Sequence, residues 1–462
     1  MLSLTCRDGQ RIATPRFLDT ITFPLPWLLV WLHGAKRTLE ASWELYDSFT
    51  AYMLAPGTHR LEFLKDLTLG EDAFCIEFGD RMEFTLQPRY DFRLAISLAN
   101  VVRGAAGLRR LSIDRAESVF ETASQLVEAI ASLKRLEEVC FRDADVITLG
   151  LLSTMQSRPR KVEIYIKEYN DPETRERWWG RYTVGEDSFL HNFTECLETL
   201  HLGRGFGIIQ MLEPNTVWPA VRELKLPRSQ GWPRELVDLQ VTSHAFPNLR
   251  YLHVDELPES ATLGLGGRWT TLDTVHSGDP IPLHCPVRYL NMGDWWVNRG
   301  RMLDTTAPIL RKTLPIIVEC PASKAHYRCF AEHAPSIRFL RVHHAPSSDP
   351  SDRLSSDFSD SWSGRTDRSA LAILADEFSC LQTLPLKAIE VNFRSKHPWY
   401  HEGMMFHEEA SKTGFSKTSI SKTFPWEQYA GVIATCIPAL EYIGIRQELS
   451  NGYVKASWSK SP

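Results

Sequence analysis

Phe246-Pro247-Asn248-Leu249-Arg250-Tyr251-Leu252-His253-Val254 decides the reading of this chain. The stretch runs apolar residue, proline, short spacer, branched apolar residue, then Leu, one residue, and another apolar residue. The same order recurs in Trp218-Pro219-Ala220-Val221-Arg222-Glu223-Leu224-Lys225-Leu226, in Ala334-Pro335-Ser336-Ile337-Arg338-Phe339-Leu340-Arg341-Val342, and in Ile437-Pro438-Ala439-Leu440-Glu441-Tyr442-Ile443-Gly444-Ile445. Cys285-Pro286-Val287-Arg288-Tyr289-Leu290-Asn291-Met292 is a fifth copy, one residue shorter. Five more segments keep the L-x-x-L-x-L spacing without the proline: Leu64/Leu67/Leu69, Leu108/Leu111/Ile113, Leu136/Val139/Phe141, Leu197/Leu200/Leu202 and Leu386/Ile389/Val391.

In L-x-L the two apolar residues face one side of a strand and the residue between them faces the other. Proline removes a backbone donor and pushes its predecessor out of the helical region, so it closes an incoming helix just before the strand. The residues between strands are then expected to form return helices. Ser118 to Leu133 is the clearest, with Phe120, Ala123, Val127, Ile130 and Leu133 on one stripe and Ser118 and Glu121 as a capping box. Intervals of 24 residues from Leu200 to Leu224 and 28 from Leu224 to Leu252 match a leucine-rich repeat. One strand-helix unit cannot bury its own apolar face, so units stack. The expected fold is α/β, a leucine-rich-repeat solenoid with a curved parallel sheet inside, helices outside and a short helical N-terminal cap. The strands at Leu224, Leu252, Leu290 and Leu340 are expected side by side in one sheet. A doubly wound sheet also alternates strand and helix, but has no reason to repeat the proline.

The boundaries follow from composition. Residues 1–20 form the cap, 21–450 the solenoid and 451–462 a tail. Two intervals, 49 residues from Leu340 to Ile389 and 54 from Ile389 to Ile443, each hide an insertion or a degenerate repeat. The first holds a Ser- and Asp-rich segment at about 345–369, read as disordered, and the second a polar loop at about 396–425. Ser348-Asp349 and Ser359-Asp360 suit an acidophilic kinase, or simply an unmodified surface loop.

The net charge of -5 supplies no positive field, so nucleic acid is not an expected partner. The run Leu25 to Leu32 is shorter than the roughly 20 residues a membrane span needs and contains Pro26. Nine scattered cysteines with no Cys-x-x-Cys pair read as reduced thiols. With no secretory signal, the location is expected to be cytoplasmic or nuclear.

No catalytic, cofactor or metal site is expected. Gly203-Arg204-Gly205-Phe206-Gly207 lacks the glycine spacing and the Lys-Ser/Thr of a phosphate cradle, and reads as a turn. His326, His333, His343 and His344 do not pair on one helical face, and His401, His407 and Glu408 fail the same test. The expected site is instead a protein-binding surface on the concave side of the sheet. One outward column holds Glu223, Tyr251, Tyr289, Phe339 and Tyr442, and the column beside it Lys225, His253, Asn291 and Arg341. Exposed aromatics and arginine on a rigid sheet are what partner hot spots favour, although the same rings can stack along the ladder without a ligand.

These repeats, from about Leu61 to Ile445, resemble those of the F-box and leucine-rich-repeat proteins abundant in fungi. Leu2-Ser3-Leu4-Thr5-Cys6-Arg7 with Arg11-Ile12-Ala13-Thr14-Pro15-Arg16-Phe17 is similar to the last helix and exit of an F-box, or forms a helical cap. The resemblance implies a substrate-recognition subunit of a Skp/cullin/F-box-type ubiquitin ligase, holding a protein substrate on its repeats and docking a Skp-type adaptor. A free-standing scaffold is the alternative. Only the tail of an F-box precedes Phe17, so the chain as written is expected to bind the adaptor weakly or not at all.

Overall fold

A computed structural model describes residues 14–23, 39–77, 89–167, 189–203, 209, 212, 216–227, 236–237, 239–255, 262–263, 266–278, 280–293, 302–344, 368–393, 426–449 and 452–459. The chain divides into two compact units, Met1–Leu249 with Ser260–Thr262, and Arg250–Glu259 with Leu263–Pro462. Each is α/β and is built on an open parallel sheet.

In the first unit β1 (Thr20–Phe23), β2 (Asp66–Leu69), β3 (Arg110–Ile113), β4 (Glu138–Ala144), β5 (Lys161–Ile166), β6 (Thr199–Gly203) and β7 (Glu223–Leu226) pair in chain order, all parallel. Helices α1 (Leu39–Leu54), α2 (Leu94–Gly104), α3 (Ala116–Thr122), α4 (Ser124–Ala131), α5 (Val146–Thr154) and α6 (Leu239–Ala245) come from the connections. In the second unit β8 (Tyr251–Val254), β9 (Leu272–Ser277), β10 (Val287–Asn291), β11 (Ile317–Pro321), β12 (Phe339–His344), β13 (Ala388–Phe393) and β14 (Tyr442–Leu449) are again parallel and in order. Helices α7 (Met302–Thr313), α8 (Lys324–His333), α9 (Arg368–Ser379) and α10 (Trp426–Cys436) connect them.

All ten motif copies are strands, and their apolar pairs form the core: Leu224, Leu252, Ile389 and Ile443 are fully buried. The proline follows the end of a helix at Phe246-Pro247, Ala334-Pro335 and Ile437-Pro438, after α6, α8 and α10. The arginine that trails it closes the turn, since Arg222 Nη1 donates to the Pro219 carbonyl at 3.0 Å and Arg338 Nη1 to that of Pro335 at 2.9 Å. Register is held at the strand entrances, where two consecutive N–H groups donate to one carbonyl. Arg338 and Phe339 share Ile316 O in this way, and Lys387 and Ala388 share Arg338 O.

Several expectations need correction. Leu252, Leu290 and Leu340 lie in one parallel sheet, as expected, but not side by side, because β9 and β11 intercalate between them. No strand is interposed in the sheet at the two long intervals, as β12 pairs directly with β13 and β13 with β14. The inserted segments at 345–367 and 394–425 lie outside the described residues, and Arg368–Ser379 is helix. Ser118 to Leu133 is two helices, broken at Ala123 (φ -122, ψ 67), and Arg115 rather than Ser118 precedes the first, so no capping box forms. The supposed tail is β15 (Gly452–Ser459), antiparallel to β14. Residues 278–286, between β9 and β10, contain no helix among those described. Most of the N-terminal cap lies outside the described residues; 14–18 are helical and β1 follows directly. No described helix is long and apolar enough to cross a membrane.

Candidate functional site

Strand alternation sends every second side chain to the face away from the helices, and parallel in-register pairing lines these side chains into rows. In the first unit one row runs Asp66, Arg110, Glu138, Lys161, Thr199, Glu223, and the next runs Ser112, Cys140, Glu163, His201, Lys225. Opposite charges alternate and satisfy one another. Arg110 grips Asp66 with two hydrogen bonds of 2.7 and 2.5 Å. Lys161 pairs with Glu163 at 2.7 Å, His201 lies 3.3 Å from Glu163 and 3.2 Å from Glu223, and Lys225 closes on Glu223 at 2.7 Å. The His201 bond and the neighbouring lysine hold the Glu163 carboxyl down at about 2 against the effect of burial. Burial raises Glu223, but Lys225 and His201 outweigh it and keep its carboxyl below the usual range. The expected site residues Glu223 and Lys225 are therefore partners of each other. At the strand entrances a shallow groove of about 440 Å³, lined by Lys65, Arg109 and Glu137 among others, is likewise internally paired, with Arg109 3.3 Å from Glu137.

The second unit brings the other seven expected residues onto one face. The first row reads Tyr251, Thr274, Tyr289, Ile317, Phe339, Ala388, Tyr442. The aromatics are thus separated by Thr274, Ile317 and Ala388, and sit on alternate strands about 9–10 Å apart rather than in an unbroken column. Phe339 and Tyr442 are each 44% exposed, whereas Tyr251 and Tyr289 are half-buried. Tyr442 leans over Gly444, whose missing Cβ would otherwise meet the ring at 3.1 Å.

The second row reads His253, His276, Asn291, Glu319, Arg341, Glu390, Gly444. Its centre is Glu319, which lies outside every copy of the sequence motif. Tyr289 donates its hydroxyl to this carboxylate; Asn291 Nδ2 reaches it at 3.2 Å, Arg341 Nη1 at 2.8 Å and His343 Nε2 at 2.8 Å. Burial raises the Glu319 carboxyl, but the bonds from His343, Tyr289 and Arg341 outweigh it and hold it at about 2. Burial and the adjoining carboxylate push the Tyr289 hydroxyl well above its ordinary range. Arg341 Nε spans on to Glu390 at 3.0 Å, and Arg446 binds the other oxygen of Glu390. The arrangement is a rigid polar strip bordered by two exposed rings.

Burial pushes the Cys140 and Cys285 thiols up to about 11, so both stay protonated at neutral pH. His326 is buried, which lowers it to about 4, and His343 is a partner of Glu319. Gly203 is a strand residue, and a Cβ there would strike the Tyr165 ring at 2.2 Å; residues 204–207, His401, His407 and Glu408 lie outside the described residues. One group with metal-ligand character does assemble among the described residues, His253 with Asp255 and His276. No family model matches the chain, and no curated protein matches it.

Proposed function

We propose that the chain is a leucine-rich-repeat scaffold that binds a protein partner on the helix-free face of its second sheet. The observation that carries this reading is the exposure of Phe339 and Tyr442 beside the fixed strip of Glu319, Arg341 and Glu390. Exposed rings on rigid strands lose little entropy on binding, and a bordering arginine supplies directional polar contacts. The F-box and leucine-rich-repeat resemblance extends the proposal to the substrate-recognition part of a Skp/cullin/F-box-type ubiquitin ligase.

A partner captured by proximity labelling of the full chain provides the test. Phe339→Ala and Tyr442→Ala are each expected to weaken its binding by about 2 kcal/mol, roughly thirtyfold, with the melting temperature nearly unchanged. Tyr289→Ala is a poorer probe because it also removes a hydrogen bond from Glu319. Leu290→Ala, which empties a core position 1% exposed, is expected to cost about 2–5 kcal/mol of stability instead. Unchanged partner affinity in both aromatic variants refutes the assignment of this face. A stoichiometric Skp-type adaptor on the purified chain supports the ligase subunit and overturns the expectation of weak adaptor binding, whereas its absence is the expected result under either reading.

A further inference from the structure

His253 lies in β8 and Asp255 directly follows the strand with its carboxylate against the His253 ring, and His276 is the cross-strand neighbour of His253. One donor atom from each of the three lies within 4.8 Å of the others. The side chains reach solvent, His253 being 19% and Asp255 33% exposed. Hydrogen-bonded pairing of β8 with β9 fixes the spacing of the two backbones. We propose that these three residues form a binding site for a single divalent transition-metal ion of the imidazole-preferring class, Zn²⁺, Ni²⁺ or Cu²⁺. Such a site stands whether or not the sheet face also binds a protein.

The donor set selects the ion. Two imidazoles and one carboxylate, with no thiolate, suit borderline ions and offer too few oxygens for Ca²⁺ or Mg²⁺. Metal–nitrogen bonds of about 2.0–2.1 Å in tetrahedral geometry place neighbouring donors about 3.3 Å apart. Asp255 Oδ1 stands 2.5 Å from His253 Nε2, and the two imidazoles are stacked with centroids 4.1 Å apart at 6°. An imidazole lone pair lies in the ring plane, so two parallel rings aim side by side rather than at one point. One ring therefore turns about its Cβ–Cγ bond on binding, a broad two-fold torsion that needs no backbone movement. The fourth position faces solvent and takes a water or an exogenous ligand.

Calorimetric titration of the full chain with Zn²⁺ tests the site. One equivalent is expected to bind, with affinity falling on the order of tenfold or more in His253→Ala and in His276→Ala, and unchanged in His59→Ala. His276→Gln, which keeps the bulk and polarity of the side chain, is the second variant if His276→Ala fails to fold. A Cu²⁺ electron paramagnetic resonance spectrum is expected to show nitrogen splitting from two imidazoles. Absence of binding at about 1 mM Zn²⁺ overturns the proposal. So does undiminished binding in the double histidine variant, which means an adventitious ion only.

Discussion

Glu117→Gln is expected to destabilise the first unit by about 3 kcal/mol, although the side chain keeps its shape and touches no ligand surface. Glu117 is 3% exposed and lies in the first turn of α3. Its carboxylate accepts the N–H of Asp145 at 2.9 Å, of Ile147 at 2.8 Å and of Thr148 at 3.1 Å, together with the Thr148 hydroxyl at 2.8 Å. Those are the orphan donors at the start of α5, where Asp145 makes no capping bond of its own. The carboxylate of one repeat thus caps the helix of the next, and its charge faces the positive end of that helix. Glutamine offers a single acceptor oxygen and turns an NH₂ toward donors, leaving buried N–H groups unpaired at about 1–3 kcal/mol each. Hydrogen exchange at Ile147 and Thr148 reads the effect locally, with about a hundredfold loss of protection expected at 3 kcal/mol. Protection within threefold of the parent protein would falsify this role.

Ten of the strands were legible in the sequence and the centre of the candidate site was not, for one reason. Proline-led L-x-L announces a strand only where the spacer and the closing apolar residue are both present. β11 enters through Leu314-Pro315-Ile316-Ile317-Val318-Glu319-Cys320 and β5 through Pro159-Arg160-Lys161-Val162-Glu163-Ile164, both with shortened spacers. β9 closes on Ser277, which is fully buried where an apolar residue was sought. These strands carry Glu319, Glu163 and His276, so the aromatic flanks of the second sheet could be read while its polar hub, and the histidine facing His253, stayed hidden. Glu117 escaped notice because its partners lie about one repeat further along the chain, a relation that no local pattern encodes.

The same hub makes the second large expected effect, in which Glu319→Gln lowers the stability of the second unit by about 3 kcal/mol at neutral pH and flattens its acid limb. Glu319 in the folded protein is held at about 2 against an ordinary 4.5, and its side chain is 12% exposed, so solvent screens it weakly. The folded state binds the proton less readily than the unfolded chain does. Its contribution is therefore complete above about 4.5, and it is lost as the pH falls from there toward about 2. That difference in proton affinity corresponds to about 3 kcal/mol. The glutamine variant removes this dependence and leaves Arg341 short of one of its two carboxylates, while Glu390 still binds the guanidinium through Nε. Denaturant midpoints of both proteins, followed from pH 7 to pH 3, are expected to converge as the pH falls. Parallel curves with a constant gap would show that Glu319 acts through packing alone, and coincident curves at pH 7 would show that the strip does not hold the sheet. Phe339 and Tyr442 keep their places on β12 and β14 in either case, so a partner that engages only the rings is expected to bind the folded variant as it binds the parent, whereas one that also reads Arg341 is expected to lose affinity.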